Sequence, residues 1–433
     1  MGRNRERRLS ERLGVLGERN FRLFFTGYTT SLFGAAMVPV ALTFAVLNQG
    51  YGATDVGYVL AAETVPLVGL LLLGGAVADR FSRRASMLGA DLVRFCSEGL
   101  LAVLLLTGSP RLWVFVVLAG VLGAGQAFFN PAMTGLMPEM VSPERLQAAN
   151  GLRGIASSTG QILGPSVAGV IVASGGAGWA IAIDSATTYA FSAACLWRLA
   201  IPPRPVSSPS SLMSQLAQGW HEFRSRTWLW VIVAQFATFN ALSIAPFMVL
   251  GAVIAHDHHG GATAWGAILS VFGAGSIAGG LIAVRLRVRR PLVVATGGAA
   301  VFAVPIALIA VSASTFLVAA TAGLAGIGLS IFGTLWETTL QREVPGEALS
   351  RVSSYDWLGS VAFVPIGYIL VGPLAALLGS RTTLLFAAAW AVVSCAAVLT
   401  TGSVRSLTST PVTRAVSARE PAQECLHGHE KSS

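Results

Sequence analysis

The composition of this 433-residue chain excludes an ordinary soluble protein. Charged residues make up 11% and hydrophobic residues 54%, with 48 glycines besides, whereas soluble domains contain about 25% charged residues. The net charge is +9. So little polar surface cannot cover several water-soluble domains, and the composition predicts an all-α protein that crosses a membrane many times.

Rare residue types exclude several classes of enzyme. Lys431 is the only lysine, so neither a phosphate-binding GK[ST] loop nor a Schiff-base site has the amine that it needs. The four cysteines are far apart and include no CxxC pair, which argues against a zinc site or a disulfide framework. We therefore expect no enzyme activity, no metal site and no cofactor.

Twelve stretches are long and apolar enough for membrane helices, each of which needs ~20 residues. In chain order, they begin with an uncharged window at 23–54 and end with another at 382–404. The uncharged window 291–336 has room for two of them, joined by a polar turn at 312–315. Three of the twelve, roughly 54–78, 85–107 and 179–199, tolerate a few charges. Helices are preferred to barrel strands because the windows are long and continuous.

The basic residues predict the orientation in the membrane. All but four of the 29 basic residues fall in segments on one side if the N-terminus is cytoplasmic, the exceptions being Arg94, Arg111, Arg153 and Arg381. Cytoplasmic loops are enriched in Lys and Arg, so both termini are predicted to be cytoplasmic at the cell membrane. The positive charge then indicates contact with the lipid bilayer and no binding of nucleic acid.

A segment rich in Pro and Ser divides the chain into two halves. We predict an N-terminal tail at 1–22, a six-helix bundle at 23–200, a linker at 201–227, a second six-helix bundle at 228–402 and a disordered tail at 403–433. The pattern VxxExL occurs at 141–146 and again at 344–349. A two-fold repeat of six helices explains this pattern, with chance similarity of two short loops as the alternative.

The loop after the second predicted span carries a recognisable motif. It reads GAVADRFSRR over residues 75–84, which is GxxxDRxxRR. This spacing resembles the signature of the major facilitator superfamily, although Ser82 stands where the family usually has glycine. The resemblance implies two six-helix bundles, transport by alternating access, and a conformational switch at Gly75, Asp79, Arg80, Arg83 and Arg84. The alternative is that these arginines only retain the loop in the cytoplasm.

The fifth predicted span reads GQILGPSVAG over residues 160–169. Proline bends a helix and glycines let a neighbouring helix approach closely, so we predict a kink at Gly160, Gly164, Pro165 and Gly169. The stretch resembles the GPxxGG motif of the family's exporters, with Ala168 replacing one glycine. The resemblance extends to the branch of macrolide and enterobactin exporters, and it implies antiport driven by the proton gradient. A purely structural kink remains the alternative.

Ionisable residues within membrane spans cost free energy and are therefore candidates for binding protons or substrate. Glu63, near the middle of the second span, is the best candidate for proton exchange, with a hydrogen bond to a neighbouring helix as the alternative. Asp91, Arg94 and Glu98 are spaced to share one helix face, which predicts an internal ladder of ion pairs. Arg153 and Asp184 resemble polar positions that are common in this branch.

The family's central cavity is lined by spans one, four, seven and ten, which here supply Thr29, Thr30, Gln126, Asn130, Gln235, Asn240, Trp336 and Glu337. Such a lining suits a small, bulky, amphipathic substrate. We expect a monomer.

The run 256–259 is interpreted as a solvated loop, with a metal site as the alternative, and the glycines of 323–328 as helix packing. An importer of the same fold, a receptor, a scramblase and a membrane-embedded enzyme are the competing functions.

Overall fold

The computed structural model describes residues 17–80, 83–141, 146–199, 212–258 and 260–408. Every regular element in these ranges is helical, so the predicted all-α fold is confirmed for the part of the chain described. The first half contains α1 (Arg19–Leu47), α2 (Ala53–Arg80), α3 (Arg83–Thr107), α4 (Leu112–Met140), α5 (Leu146–Gly175) and α6. Helix α6 consists of Ala177–Asp184, the π-helical turn Ser185–Ala190 and Phe191–Trp197.

Helix α7 (Leu212–Ser225) connects this half to a second series of long helices. These are α8 (Thr227–Phe239, the π-helical turn Asn240–Ile244 and Ala245–His258), α9 (Gly261–Arg285), α10 (Pro291–Ala300 and Ala303–Ala310) and α11 (Thr315–Glu343). They are followed by α12 (Gly346–Val361 and Val364–Leu378), α13 (Ser380–Thr400) and the short α14 (Gly402–Ser406). The polar turn predicted between α10 and α11 is present, and Ser312 adopts a positive φ of 52° there.

Ten helices in the described ranges are long and apolar enough to cross a membrane by length and composition. The predicted spans that do not meet this criterion are α3 and α6. Asp91, Arg94 and Glu98 fall within every 18-residue stretch of α3, and α6 carries Asp184 and several small polar residues. The count of twelve spans therefore stays a prediction, and its two exceptions are the helices that carry buried ionisable groups.

The two halves repeat the same packing. Helix α4 packs against α2 and α3 in the first half, and α11 packs against α9 and α10 in the second. The halves meet where α5 packs against α9 and where α2 packs against α12. We call the end of the molecule at α7 the linker end, and the end where α1 finishes and α2 begins the opposite end.

Close contacts between the halves lie towards the opposite end. A Cβ added to Gly372 of α12 would lie 2.5 Å from the Thr54 nitrogen, and one added to Gly57 would overlap the Tyr368 carbonyl oxygen. The ring of His256 lies 6.0 Å from that of Phe44. These residues belong to the first turns of α2, the last turns of α1 and α8, and the second part of α12, so the opposite end is closed.

Three predicted boundaries differ from the structure. Helix α1 begins at Arg19 within the predicted tail 1–22, and α14 lies at the start of the predicted disordered tail. Helix α7 occupies the second part of the predicted linker because it docks on α12, where the rings of Trp220 and Phe223 lie 5.6 and 6.0 Å from that of Tyr355. Residues 1–16, 200–211 and 409–433 lie outside the described residues.

Candidate functional site

A cluster of ionisable side chains is buried between α3 and α6 in the first half. Asp91, Arg94, Glu98 and Asp184 are each at most 4% exposed. Arg94 forms an ion pair with Asp91, and Ser192 of α6 hydrogen bonds to Asp91. Because α3 contributes three members and α6 contributes one, the cluster depends on the packing of these two helices.

Arg94 is fixed by three helices. Its guanidinium donates a hydrogen bond to Gln126 of α4, and it lies 4.3 Å from the ring centroid of Phe129 and 4.6 Å from that of Tyr189. A guanidinium at this distance is attracted to the face of an aromatic ring. The charge of Arg94 is thereby held in place beside Asp91 rather than exposed to the space between the two halves.

Glu98 does not extend the ion pair into the predicted ladder. Among the described residues its partners are on α6: the Tyr189 hydroxyl donates to Glu98 Oε1 over 3.3 Å, and the carboxyl groups of Glu98 and Asp184 lie within hydrogen-bonding reach of each other. Thr188 also donates to Asp184. Spacing along α3 is therefore sufficient for the Asp91–Arg94 pair, whereas the environment of Glu98 is set by another helix.

Glu63 links this cluster to the second half. It is partly buried on α2, and its backbone packs so closely on α4 that a Cβ added to Gly123 would lie 2.7 Å from the Glu63 carbonyl carbon. Its carboxyl group interacts electrostatically with Asp184 of α6 and with Tyr368 of α12. Glu63 thus lies between the buried carboxyls of one half and a helix of the other.

The predicted kink of α5 lies where three helices meet. A Cβ added to Gly160 would come within 3.1 Å of the Leu32 carbonyl oxygen, and one added to Gly164 within 2.6 Å of Ala36 Cβ, both on α1. One turn further, a Cβ on Gly169 would lie 2.5 Å from the Ala262 carbonyl oxygen of α9. Pro165 lies inside the helix. This motif therefore forms part of the junction between the halves.

A polar junction that the sequence analysis missed lies between α11 and α12. The indole Nε1 of Trp336 donates to Asp356 Oδ2 over 3.0 Å, and Asn240 donates to the carbonyl oxygen of Ser360 over 3.1 Å. The exposed Glu337 interacts electrostatically with Asp356. Asp356 was missed because the uncharged window taken as a span begins at the next residue; an acid at the edge of such a window was the available signal.

Several predicted cavity residues have other partners. Thr29 and Thr30 donate to carbonyl oxygens of their own helix, Phe25 and Gly27, over 2.7 and 2.8 Å. Gln235 is buried against α13, with Nε2 lying 3.5 Å from Ser394 Oγ and from Cys395 Sγ. Its prediction as a cavity residue is wrong, because α13 covers that face of α8. The side chain of Asn130 lies outside what the structure describes.

The predicted switch is only partly described. Gly75, Asp79 and Arg80 lie in the last turns of α2, but their side chains fall outside the described set, and Arg83 is the first residue of α3. Arg84 donates from Nε to the Leu196 carbonyl oxygen over 2.9 Å and also to that of Trp197. In this structure Arg84 therefore satisfies the C-terminal carbonyls of α6, which have no partner within their helix.

The alternative sites have structural explanations. His256 Nδ1 lies 2.9 Å from Asp257 Oδ1 at the end of α8, whereas His259 is not described. No group of three or more His, Cys, Asp or Glu residues that could hold a metal occurs among the described residues. The glycines of 323–328 lie within α11, where a Cβ added to Gly328 would lie 2.8 Å from the Gly298 carbonyl carbon. Helix packing, as predicted, accounts for these glycines.

Near the start of α5, Arg153 contributes a further polar contact. Its Nη1 lies 3.9 Å from Met133 Sδ, and its charge interacts with Tyr28 of α1. Arg153 therefore lies at the junction of α1, α4 and α5, and it is separate from the cluster around Arg94.

Comparisons with known proteins place the chain in a family. Residues 24–362 match the sequence profile described as Major Facilitator Superfamily. Macrolide efflux protein A of Streptococcus pyogenes is 22% identical over 364 residues, which cover 81% of this chain and 88% of that protein. Multidrug efflux pump Tap of Mycolicibacterium fortuitum is 26% identical over 366 residues, with the same coverage of 81% and 88%. Enterobactin exporter EntS of Salmonella typhimurium is 24% identical over 201 residues, 44% of this chain and 46% of that one.

Solved structures share the fold. The nucleoside transporter NupG superposes with a TM-score of 0.68 at 14% identity, covering 88% of this chain and 98% of that one. A bacterial homologue of the human lysosomal transporter Spinster, inward-facing and unoccupied, gives 0.69 at 15% identity, covering 93% and 99%. The helical architecture, the junctions between two halves and the profile match agree, and the chain belongs to the Major Facilitator Superfamily of membrane transporters.

Proposed function

We propose that the protein is a proton-coupled exporter of small amphipathic molecules that resides in the cell membrane with both termini in the cytoplasm. The observation that carries this proposal is the set of buried carboxyl groups Asp91, Glu98 and Asp184, with Glu63 beside them at the junction with α12. A single arginine, Arg94, lies among these four acids.

The charge balance of this set favours reversible protonation. Arg94 is paired with Asp91, and among the described residues Glu63, Glu98 and Asp184 form no ion pair, although the charge of Arg94 also acts on Asp184. A carboxylate inside a membrane is costly unless it is paired or protonated. Binding and release of a proton would therefore change the electrostatic energy of the junction between α2 and α12, which is the requirement for coupling a proton to a change of conformation.

Export is favoured over import by two observations. The kink motif of α5, which resembles that of the family's exporters, lies in the contact between the halves, where it can influence which end of the molecule opens. The curated relatives named above are efflux proteins for macrolides, multiple drugs and enterobactin. Amphipathic substrates also suit the aromatic residues between α8 and α11, where the Phe236 and Phe332 rings stack with centroids 4.9 Å apart.

The test is transport by purified protein in liposomes that contain a pH-sensitive dye. After a proton gradient is imposed, macrolides, other lipophilic drugs and siderophores are added one at a time, and substrate-induced proton flux is measured. Glu63→Gln should abolish this flux. Glu343→Gln, at the exposed end of α11, is the matched control and should leave the flux unchanged.

The competing functions make different predictions in the same assay. Uptake that does not depend on the gradient, with no proton movement for any compound, would exclude the proposed coupling. Proton flux in the same direction as substrate movement would indicate an importer. Full activity of Glu63→Gln would exclude a role for this carboxyl.

A further inference from the structure

Two buried oxygen atoms on α3 and α6 lack a hydrogen-bond donor. Glu98 Oε2 and Asp184 Oδ2 are inaccessible to solvent and have no donor within bonding geometry, although the carboxyl groups that contain them lie within hydrogen-bonding reach of each other. Each group's other oxygen is used: Tyr189 donates to Glu98 Oε1 and Thr188 donates to Asp184 Oδ1. A buried acceptor without a donor is costly.

A proton between the two carboxyl groups satisfies both of these atoms. One carboxyl then donates its O–H to the other, which remains a carboxylate, and a pair with charge −1 replaces a pair with charge −2. Two neighbouring carboxyl groups in a low-dielectric interior cannot both be ionised without a large cost in free energy. Release of the proton restores that repulsion, so the pair can store energy from a proton gradient.

A cavity borders Glu98 of the pair. The cavity beside Glu98 lies between α1, α3, α4 and α6, and its volume of about 10 Å³ has room for about one water molecule. Its lining is apolar except for Ser97 and Glu98, and the Ser97 hydroxyl already donates to the Leu118 carbonyl oxygen over 2.7 Å. Glu98 is therefore the one lining group that has an acceptor atom without a donor.

The cavity extends from Glu98 towards the opposite end of the molecule. Leu42 lies near the end of α1, Leu118 near the start of α4 and Ile181 near the start of α6, and all three helix ends face the opposite end. The cavity also lies inside the first bundle. It is separated from the junction between the halves by α1 and α4, which contribute part of its wall.

We propose that Glu98 and Asp184 form a binding site for one shared proton, and that this proton arrives from the opposite end through the cavity inside the first bundle, apart from the path of the substrate between the halves. The site rests on the proposed function in one respect, which is that the shared proton is the coupling ion. A water molecule in the cavity would carry the proton to Glu98.

The other titratable and charged groups around the pair give it a direction of transfer. Arg94, itself paired with Asp91, faces it from α3, Tyr189 from α6 and Glu63 from α2, and Tyr368 of α12 faces Glu63 from the other half. Glu63 is the group of this set that interacts both with the pair and with the second half. A proton that leaves the pair for Glu63 therefore reaches the contact between α2 and α12.

Infrared spectroscopy of the purified protein tests the shared site without any substrate. The carbonyl stretch of a protonated carboxyl is followed while the pH is raised. We expect one band that disappears on titration and is absent from both Glu98→Gln and Asp184→Asn, because the amide that replaces one carboxyl donates an N–H to the other in place of the shared proton. Asp356→Asn, which changes a carboxyl in the other half, should retain the band.

Several results would overturn the shared site. A band that survives in either variant, or that is lost in only one of them, would show that the proton is not shared. Tyr189→Phe guards against misfolding of the charge variants, since it removes only a hydroxyl group; the band should remain and its titration midpoint should move. An unchanged midpoint would contradict the arrangement around Glu98.

Filling the cavity tests the route. Ala119 lines the cavity and is 2% exposed. Ala119→Val should slow proton uptake by liposome-reconstituted protein, whereas exchange of labelled for unlabelled substrate, which needs no net proton movement, should continue. Ala119→Ser, which adds a single polar atom, is the control and should be less affected than Ala119→Val. Equal slowing of proton uptake and substrate exchange would contradict separate routes.

These measurements separate the two proposals. If the infrared band behaves as expected and no substrate moves protons, the proton site stands and the proposed antiport fails. If substrates move protons while the band is unaffected by Glu98→Gln and Asp184→Asn, the antiport stands and the proton must bind elsewhere, with Glu63 as the remaining candidate.

Discussion

Arg153 of α5 and Asp356 of α12 occupy equivalent positions in the two halves. They are separated along the chain by the same number of residues as the two VxxExL patterns, which begin at Val141 and Val344. Their partners are equivalent as well: Arg153 contacts Met133 of α4 over 3.9 Å, and Asp356 accepts from Trp336 of α11 over 3.0 Å. The contact between α4 and α5 in the first half therefore has an equivalent between α11 and α12 in the second. An acid takes the place of the arginine there.

The Trp336–Asp356 contact should be the stronger of the two. An indole N–H donating to a carboxylate is a charge-assisted hydrogen bond, whereas a thioether is a weak acceptor. In a double-mutant cycle with Trp336→Phe and Asp356→Leu, we expect a coupling of about 1 kcal/mol in the free energy of unfolding by detergent, near the upper part of the range for membrane proteins. The matched cycle of Met133→Leu and Arg153→Leu should give a smaller value. Additive effects in the first cycle would contradict the hydrogen bond.

The contact between α5 and α9 should be able to lock the transporter. The hydroxyl oxygens of Ser166 and Ser270 lie 2.6 Å apart across the junction of the halves. In a variant whose native cysteines are replaced by serine, the pair Ser166→Cys and Ser270→Cys should form a disulfide under oxidising conditions, because the two sulfur atoms would be close enough.

The locked form should not transport. Alternating access requires the opposite end to open, and this bond holds it closed. We expect transport in liposomes to be lost after oxidation and restored by a reducing agent, whereas each single cysteine variant should be insensitive to oxidation. Continued transport by the oxidised pair would show that α5 and α9 do not separate at this level.

Sequence patterns predicted the elements of this fold better than its contacts. Uncharged windows and the polar turn at 312–315 located the long helices because a membrane span is a property of one continuous segment. The Asp91–Arg94 pair could also be predicted, since its members lie three residues apart on one helix.

Contacts between helices were beyond the same reasoning. Asp184 and Tyr189 meet Glu98 only because α6 packs on α3, and no spacing along the chain encodes that meeting. The orientation of Gln235 towards α13 depends likewise on tertiary packing. The docking of α7 was not expected because a linker composition rich in Pro and Ser describes only the part of the segment before Leu212.

Arg84 should stabilise the end of α6. Its guanidinium donates to the carbonyl oxygens of Leu196 and Trp197, so Arg84→Gln removes this donor from both, although the Leu199 backbone N–H still donates to Leu196 over 3.2 Å. We expect amide hydrogen exchange in the last turn of α6 to become up to about tenfold faster. Arg287→Gln, an exposed arginine in the loop after α9, should change nothing there. If the rate of amide hydrogen exchange in the last turn of α6 is the same in both variants, Arg84 has no capping role.

Glycines at the junction between the halves should differ in effect from glycines inside one half. A Cβ added to Gly169 would press on Ala262 across the junction, whereas one added to Gly328 would press on Gly298 between α10 and α11 of the same half. Separation of the halves relieves the first clash but not the second, because packing within a bundle is retained in both access states.

Gly169→Ala should therefore open the opposite end, and Gly328→Ala should lower stability instead. We expect a cysteine placed at Ser270, which is 7% exposed, to react faster with a polar maleimide in Gly169→Ala than in the parent. In Gly328→Ala that rate should stay at the parent value while the melting temperature of the purified protein falls. Faster labelling in both variants would indicate general loosening of the fold, since only the first substitution lies between the halves.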